Sequence, residues 1–126
     1  MVIIGAGVIG LEMGSVYKRL GTEVIIIEYA DQICPFLDAD IAKAFTKSLK
    51  SQGIQLITGH KVVSGTNNGT TGSVVVEPVK GGESKVYEAD HILVCTGRKP
   101  FVEGLNAKEI GIEFDKQNRV VTNEHL

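Results

Sequence analysis

The sequence predicts an α/β fold: a parallel sheet with crossover helices, joined to a three-stranded antiparallel β-meander. Three observations carry that prediction. The chain opens on a β-branched strand that runs straight into glycines at positions 5, 7 and 10. Apolar strands then alternate with helical patterns over the first half of the chain, the order expected of βαβ units. From residue 60 onward, glycine-rich turns cut the sequence into short strands instead.

Each element has its own signal. Val2 to Ile4 is the opening strand. From Gly7 to Leu20, apolar residues at Ile9, Met13, Val16, Tyr17 and Leu20 recur at helical spacing, and Gly21 ends the run. Residues 22–28, TEVIIIE, are nearly unbroken β-branched residues, as a parallel strand covered on both faces requires. A second helix is expected to enter at Asp38 and close at Gly53, with an apolar stripe of Ile41, Ala44, Phe45 and Leu49 opposite Lys43, Lys47 and Lys50. IQLITG (54–59) supplies a third strand. HKVVSGT, GSVVVEPV and SKVYEAD form the meander, and HILVCTGRKP (91–100) returns to an apolar strand that ends in Thr96-Gly97. The last residues show one turn, at Asp115–Asn118, and no strong core segment. The division expected is a nucleotide-binding domain over 1–99 and a connecting tail over 100–126.

Composition narrows the function classes. The chain has 126 residues, 43% hydrophobic and 22% charged, with a net charge of −2. That suits one soluble globular domain with a real core. No basic tract invites nucleic acid or an anionic membrane, and no apolar run approaches a membrane span. Cys34 and Cys95 form no CxxC pair and read as reduced thiols, with a small buried hydrophobe the default for Cys95. No His, Cys or carboxylate spacing suggests a metal.

The chemistry-bearing motif is Gly5-Ala6-Gly7-Val8-Ile9-Gly10, set between a strand and a helix. Gly5 permits the tight turn, Gly7 lets a pyrophosphate approach the backbone, and Gly10 lets helix and strand pack closely. The helix N-terminus adds free N–H groups and partial positive charge. Methyltransferases use a related loop, and glycine-rich turns also occur without ligands. Glu28 argues for a dinucleotide: it ends the second strand eighteen residues beyond Gly10, where an acid accepts hydrogen bonds from the adenosine ribose. A carboxylate there repels a 2′-phosphate, and neither Tyr29 nor Ala30 offsets it, so the cofactor expected is NAD rather than NADP. The fold is accordingly Rossmann-like.

Three stretches, GAGVIGLEMGSVYKRLGTEVIIIEYADQI, the meander and ADHILVCTGRKP, together resemble the NAD domain of the dihydrolipoyl dehydrogenases, a group of pyridine nucleotide–disulfide oxidoreductases. The resemblance extends over the tail, EIGIEFDKQNRVVTNEHL. It implies a pyrophosphate loop over Gly5, Ala6, Gly7, Val8, Ile9, Gly10, Leu11 and Glu12, with Glu28 on the ribose. It also implies Val62 at the adenine end and Gly97 beside the nicotinamide half. Glu12 matches a glutamate that pairs, near the flavin of relatives, with a lysine from the FAD domain. In that family the NAD domain lies between two halves of an FAD domain, so this chain is expected to be an excerpt whose partners are the rest of its parent. The parent would bind FAD and form a homodimer in a 2-oxoacid dehydrogenase complex, in the mitochondrial matrix or a bacterial cytoplasm.

No catalytic residue is expected here. The family's CxxxxC pair has no counterpart at this spacing, and His60, His91 and His125 lack an HPxxxE context. His60 and His91 read as surface or capping residues. The chain alone is therefore expected to bind NAD or NADH without completing catalysis. Glutathione and mercuric reductases share the architecture but prefer NADPH. An NADH oxidase, a ferredoxin reductase or a free-standing NAD-sensing module would also carry these motifs.

Overall fold

The computed structural model describes residues 1–126. The elements are β1 (Val2–Ile4), α1 (Val8–Arg19), β2 (Ile25–Ile27), α2 (Ala39–Ser51), β3 (Gln55–Ile57), β4 (His60–Asn67), β5 (Gly72–Pro78), β6 (Lys85–Ala89) and β7 (Ile92–Val94). The first sheet is fully parallel, in the order β3-β2-β1-β7, and the second is the antiparallel meander β4-β5-β6. Both match the expected fold. Asp38 caps α2 by accepting a hydrogen bond from the Asp40 N–H at 2.9 Å, which satisfies one donor of the first turn. Gly53, at φ +82°, follows its end.

Strand alternation sorts the core into two layers. Ile3 and Ile26 point to the helical side and pack with Leu11, Val24, Ile33, Leu49 and Ile54. Val2 and Ile27 point the other way, against Val74 and Val76 of β5. The meander thus covers the face that a further helix would cover in a plain doubly wound sheet. The order through the molecule is helices, parallel sheet, antiparallel sheet. The closing residues add little: Ala107 is the one buried side chain beyond Val76. The Asp115 turn is present, bridged by Phe114 and Val120. Asp115 Oδ1 accepts from the N–H groups of Gln117 and Arg119, and its Oδ2 pairs with Arg119 Nε at 2.6 Å. These contacts, led by the Arg119 backbone bond, hold the Asp115 carboxyl below its ordinary range.

Both helical stripes differ from expectation. In α1 the residues facing the sheet are Gly10, Leu11 and Gly14, while Ile9 is 57% and Leu20 74% exposed. Met13 and Val16 lie on the same open side, and of the expected stripe Tyr17 alone packs against the core, partly buried. In α2 the buried positions are Ala42 and Leu49; Ile41, Ala44 and Phe45 face outward. The physical reason in α1 is proximity. A Cβ on Gly10 would collide with the Gly5 carbonyl oxygen, and one on Gly14 would lie 2.9 Å from Ile26 Cδ1. The buried face is made of what is missing from it, and an apolar periodicity cannot register that.

Cys95, expected as a small buried hydrophobe, is less buried than Cys34. Cys34 is the buried one, within the helical-side core, and Cys95 is half-buried. Burial pushes the Cys34 thiol up from its ordinary value, and the nearby Glu28 carboxylate adds to the effect.

Two predictions follow from this packing. Gly10→Ala should destabilise the fold by about 3 kcal/mol or more, because its Cβ meets backbone rather than a movable side chain. Gly14→Ala should cost less than about 1 kcal/mol, since Ile26 Cδ1 can give way and alanine gains helix propensity. Urea denaturation of the two variants measures the difference; equal losses would contradict this packing. For the thiols, iodoacetamide at pH 8 should label Cys95 in the native protein and reach Cys34 only after denaturation. Because the folded Cys34 thiol is raised, its contribution to stability is complete below the ordinary value of 9.0 and is lost as pH rises through the raised one. Cys34→Ala should flatten that alkaline fall in an unfolding series.

Candidate functional site

The site lies at the carboxyl edge of the parallel sheet, where open α/β sheets bind ligands. A cleft of about 490 Å³ is lined there by four segments. In the order of the strands they are His60–Val62 after β3, Glu28 and Tyr29 after β2, Gly5 and Gly7 after β1, and Cys95–Gly97 after β7. Pro35 and Phe36, from the segment leading to α2, form part of the wall. The strand order therefore turns four separate loops into one groove with a direction.

The glycines have different tasks. Gly5 sits at φ +105°, a conformation that disfavours any other residue, and a Cβ would come within 2.5 Å of the Cys95 carbonyl oxygen. Gly7 has an ordinary negative φ, so its backbone does not demand glycine. What it provides is room: nothing lies within 4 Å of where a Cβ would project. Gly7 is also the N-cap of α1, with no side chain bonded to the helix end and no acid in the first turn. The N-terminal N–H groups and the positive end of the helix are left to whatever enters the groove.

Glu28 is half-buried and held on both oxygens. The Ala6 N–H donates to Oε2 at 2.6 Å and the Ala30 N–H to Oε1 at 2.8 Å. A carboxylate has about four acceptor positions, so roughly one remains on each oxygen. The side chain ties the end of β2 to the glycine loop and still faces the groove. It is neither a free surface acid nor solely a ligand group.

Of the residues singled out in the sequence, the cleft brings together Gly5, Gly7, Glu28, Val62 and Gly97. Ala6 is fully buried and acts through its N–H. Gly10 and Leu11 are buried under the helix, and Val8, Ile9 and Glu12 are exposed outside the cleft lining. A register shift between Val62 and Ser64 interrupts the β4–β5 ladder beside Val62, the kind of bulge that re-aims a strand end next to a site. Gly97, at φ +111°, has open space around it.

Sequence reasoning missed Tyr29, Pro35, Phe36, His60, Lys61 and Thr96 as cleft residues. His60, read as a surface or capping residue, bonds locally: its Nδ1 lies 2.7 Å from the Thr58 carbonyl oxygen. Lys61 is paired across the strands with Glu77 at 3.4 Å. Tyr29, Pro35, Phe36 and Thr96 lie on loops, which carry no periodicity, and His60 and Lys61 open β4; only the position of Tyr29 directly after Glu28 offered a signal. No helix is long and apolar enough to cross a membrane.

Comparison with known proteins agrees with this geometry. Residues 1–126 match the family described as pyridine nucleotide-disulphide oxidoreductase. The chain is 49% identical over its whole length to a leghemoglobin reductase of Glycine max, covering 24% of that protein. It is 48% identical to the mitochondrial dihydrolipoyl dehydrogenase of Pisum sativum, covering 25% of it. Among solved structures, an HOCl-induced flavoprotein disulfide reductase of Escherichia coli superposes with a TM-score of 0.84 at 27% identity, over 99% of this chain and 28% of that one. The chain thus spans about a quarter of the length of these relatives. Motif, fold and relatives converge, and the chain belongs to the pyridine nucleotide-disulphide oxidoreductase family.

Proposed function

We propose that this chain is the NAD-binding portion, residues 1–99 with the tail 100–126, of a dihydrolipoyl dehydrogenase. The observation that carries the reading is the single cleft joining Gly5 and Gly7, Glu28, Val62 and Gly97 in strand order. A dinucleotide laid along it places adenine near Val62, the adenosine ribose at Glu28, the pyrophosphate over Gly7 and the α1 N-terminus, and nicotinamide toward Gly97. The free volume at Gly7 and the uncapped helix end suit a pyrophosphate. The remaining acceptor positions of Glu28 suit ribose hydroxyls and disfavour a 2′-phosphate, which supports NAD over NADP.

When bound, nicotinamide supplies the hydride-accepting carbon. The residues of this chain bind and orient it: Glu28 fixes the ribose, the Gly5–Gly7 turn fixes the pyrophosphate, and Gly97 leaves room for the reactive end. The chain's partner is the remainder of a longer protein that carries FAD and the disulfide chemistry. The relatives are about four times as long. The open apolar side of α1 (Ile9, Met13, Val16, Leu20) supports a surface made to be covered. The parent is a homodimer within a 2-oxoacid dehydrogenase complex, in a mitochondrial matrix or bacterial cytoplasm; relatives with mitochondrial and bacterial sources support either.

Calorimetric titration of the 126-residue chain tests the reading. ADP-ribose should bind nearly as well as NAD, because the chain's contacts concentrate at the adenosine end. NAD binding far tighter than ADP-ribose would mean a complete nicotinamide pocket and overturn it. Glu28→Ser with Tyr29→Arg should move preference toward NADPH. It should also lower stability by about 1–3 kcal/mol, since the Ala6 and Ala30 N–H groups lose their acceptor. Tyr29→Arg alone should leave stability intact. An unchanged NADH:NADPH ratio in the double variant would remove Glu28 from the ribose.

A further inference from the structure

We propose that Phe36 is the aromatic platform on which the adenine of the bound dinucleotide stacks, an inference that rests on the reading of the cleft just given. Phe36 lines the cleft yet is 69% exposed. Its neighbours in the same segment behave differently: Ile33 is fully buried and Leu37 half-buried against the core. Core packing therefore accounts for those two side chains and not for this one.

The backbone presents Phe36 deliberately. The Leu37 N–H donates to the Cys34 carbonyl oxygen at 2.8 Å, closing a tight turn with Pro35 and Phe36 at its tip. Gln32 Nε2 braces the turn by donating to the Leu37 carbonyl oxygen at 3.1 Å. The turn is aimed by Cys34, a non-glycine residue at φ +42°. That strain is held in place by burial and by the Cys34 N–H donating to the Ala6 carbonyl oxygen at 2.9 Å. Residues kept in such conformations concentrate at ligand clamps. Here the anchor is Ala6, within the glycine turn itself, so the position of the ring is coupled to the pyrophosphate loop.

The location selects the ligand group. Phe36 lies on the segment that leaves β2, the strand whose end carries Glu28, the residue read above as holding the adenosine ribose, and it lines the same cleft as Glu28 and Val62 of β4. The part of a dinucleotide beyond that ribose, away from the pyrophosphate, is the base. A planar base needs a flat apolar surface, and an aromatic ring on a braced turn provides one without ordering a loose loop on binding.

Titration of the 126-residue chain and its variants with ADP-ribose tests the proposal. Phe36→Ala should weaken binding roughly tenfold, in keeping with base–aromatic stacking, with the melting temperature unchanged because the ring is exposed. Phe36→Leu should lose most of the same affinity. Phe36→Trp should retain it, and since the chain contains no tryptophan, the new indole reports directly: ADP-ribose should quench its fluorescence along the calorimetric isotherm. Phe36→Ala within twofold of a binding wild type, an indole unmoved by saturating ADP-ribose, or a loss confined to Tyr29→Ala would each overturn the platform alone. A wild-type chain that takes no ADP-ribose would instead overturn the dinucleotide reading beneath it.

Discussion

Everything at the carboxyl edge of the parallel sheet depends on how closely α1 lies on β1 and β2. The helix can come that near only because Gly10 faces the Gly5 carbonyl and Gly14 faces Ile26 and Ile3. At a larger separation the helix N-terminus would not open directly above the turn at Gly5 and Gly7. The Ala6 N–H would no longer reach Glu28 Oε2. The Ala6 carbonyl would no longer receive Cys34. One residue of the turn thus takes part in two ties, its N–H to the end of β2 and its carbonyl to the segment before α2. Close packing of backbone against backbone is the constraint, and the cleft is its consequence.

The parts of this architecture that were legible in the sequence share a property: their signal is local. TEVIIIE reads as a buried strand because Thr22 and the run from Val24 to Ile27 are β-branched residues that each favour one. The meander reads from glycine-rich turns, and Asp38 and Gly53 bracket α2 because caps act over a few residues. The sheet-facing sides of the helices were not legible, for a physical reason. In α1 the contact surface is two glycines and Leu11, with Tyr17 partly buried beside them, so the apolar count peaks on the opposite side, at Ile9, Met13, Val16 and Leu20. In α2 a small alanine and Leu49 suffice. The cleft lining divides similarly. Gly5, Gly7 and Glu28 belong to a motif of fixed spacing. Phe36 reaches the cleft only through the folding of a loop whose path has no repeat, and His60 and Lys61 reach it because the first residues of β4 follow directly on β3.

If Glu28 holds the ribose as proposed, it shows how a ligand residue can be overdetermined by structure. Its two backbone partners orient the carboxylate before any ribose arrives, so no rotamer has to be fixed on binding. The same bonds bind the acid to the fold. A sequence that exchanged it for a smaller or basic residue would leave two N–H groups without acceptors, and a change of cofactor preference at this position is therefore also a change in stability. On the proposed reading, specificity and folding are not separable there.

The two ends of the groove are built unequally, and the inequality bears on what the chain does. At the β3 and β2 end, Glu28, Val62 and Tyr29 supply charge, apolar surface and an aromatic ring, and the braced turn carrying Phe36 follows on from β2. At the β7 end the lining is Cys95, Thr96 and Gly97, with open space around Gly97. On the proposed reading, affinity is concentrated on the adenosine half, remote from the reacting carbon, and the reactive half is left projecting beyond the chain's own surface. Binding energy drawn from the non-reacting half serves to position the reacting one. The nicotinamide face is then available to a flavin-bearing surface brought against it. On the same reading, a chain that spans a quarter of its relatives' length serves by positioning the nucleotide, and the hydride chemistry falls to the rest of the longer protein.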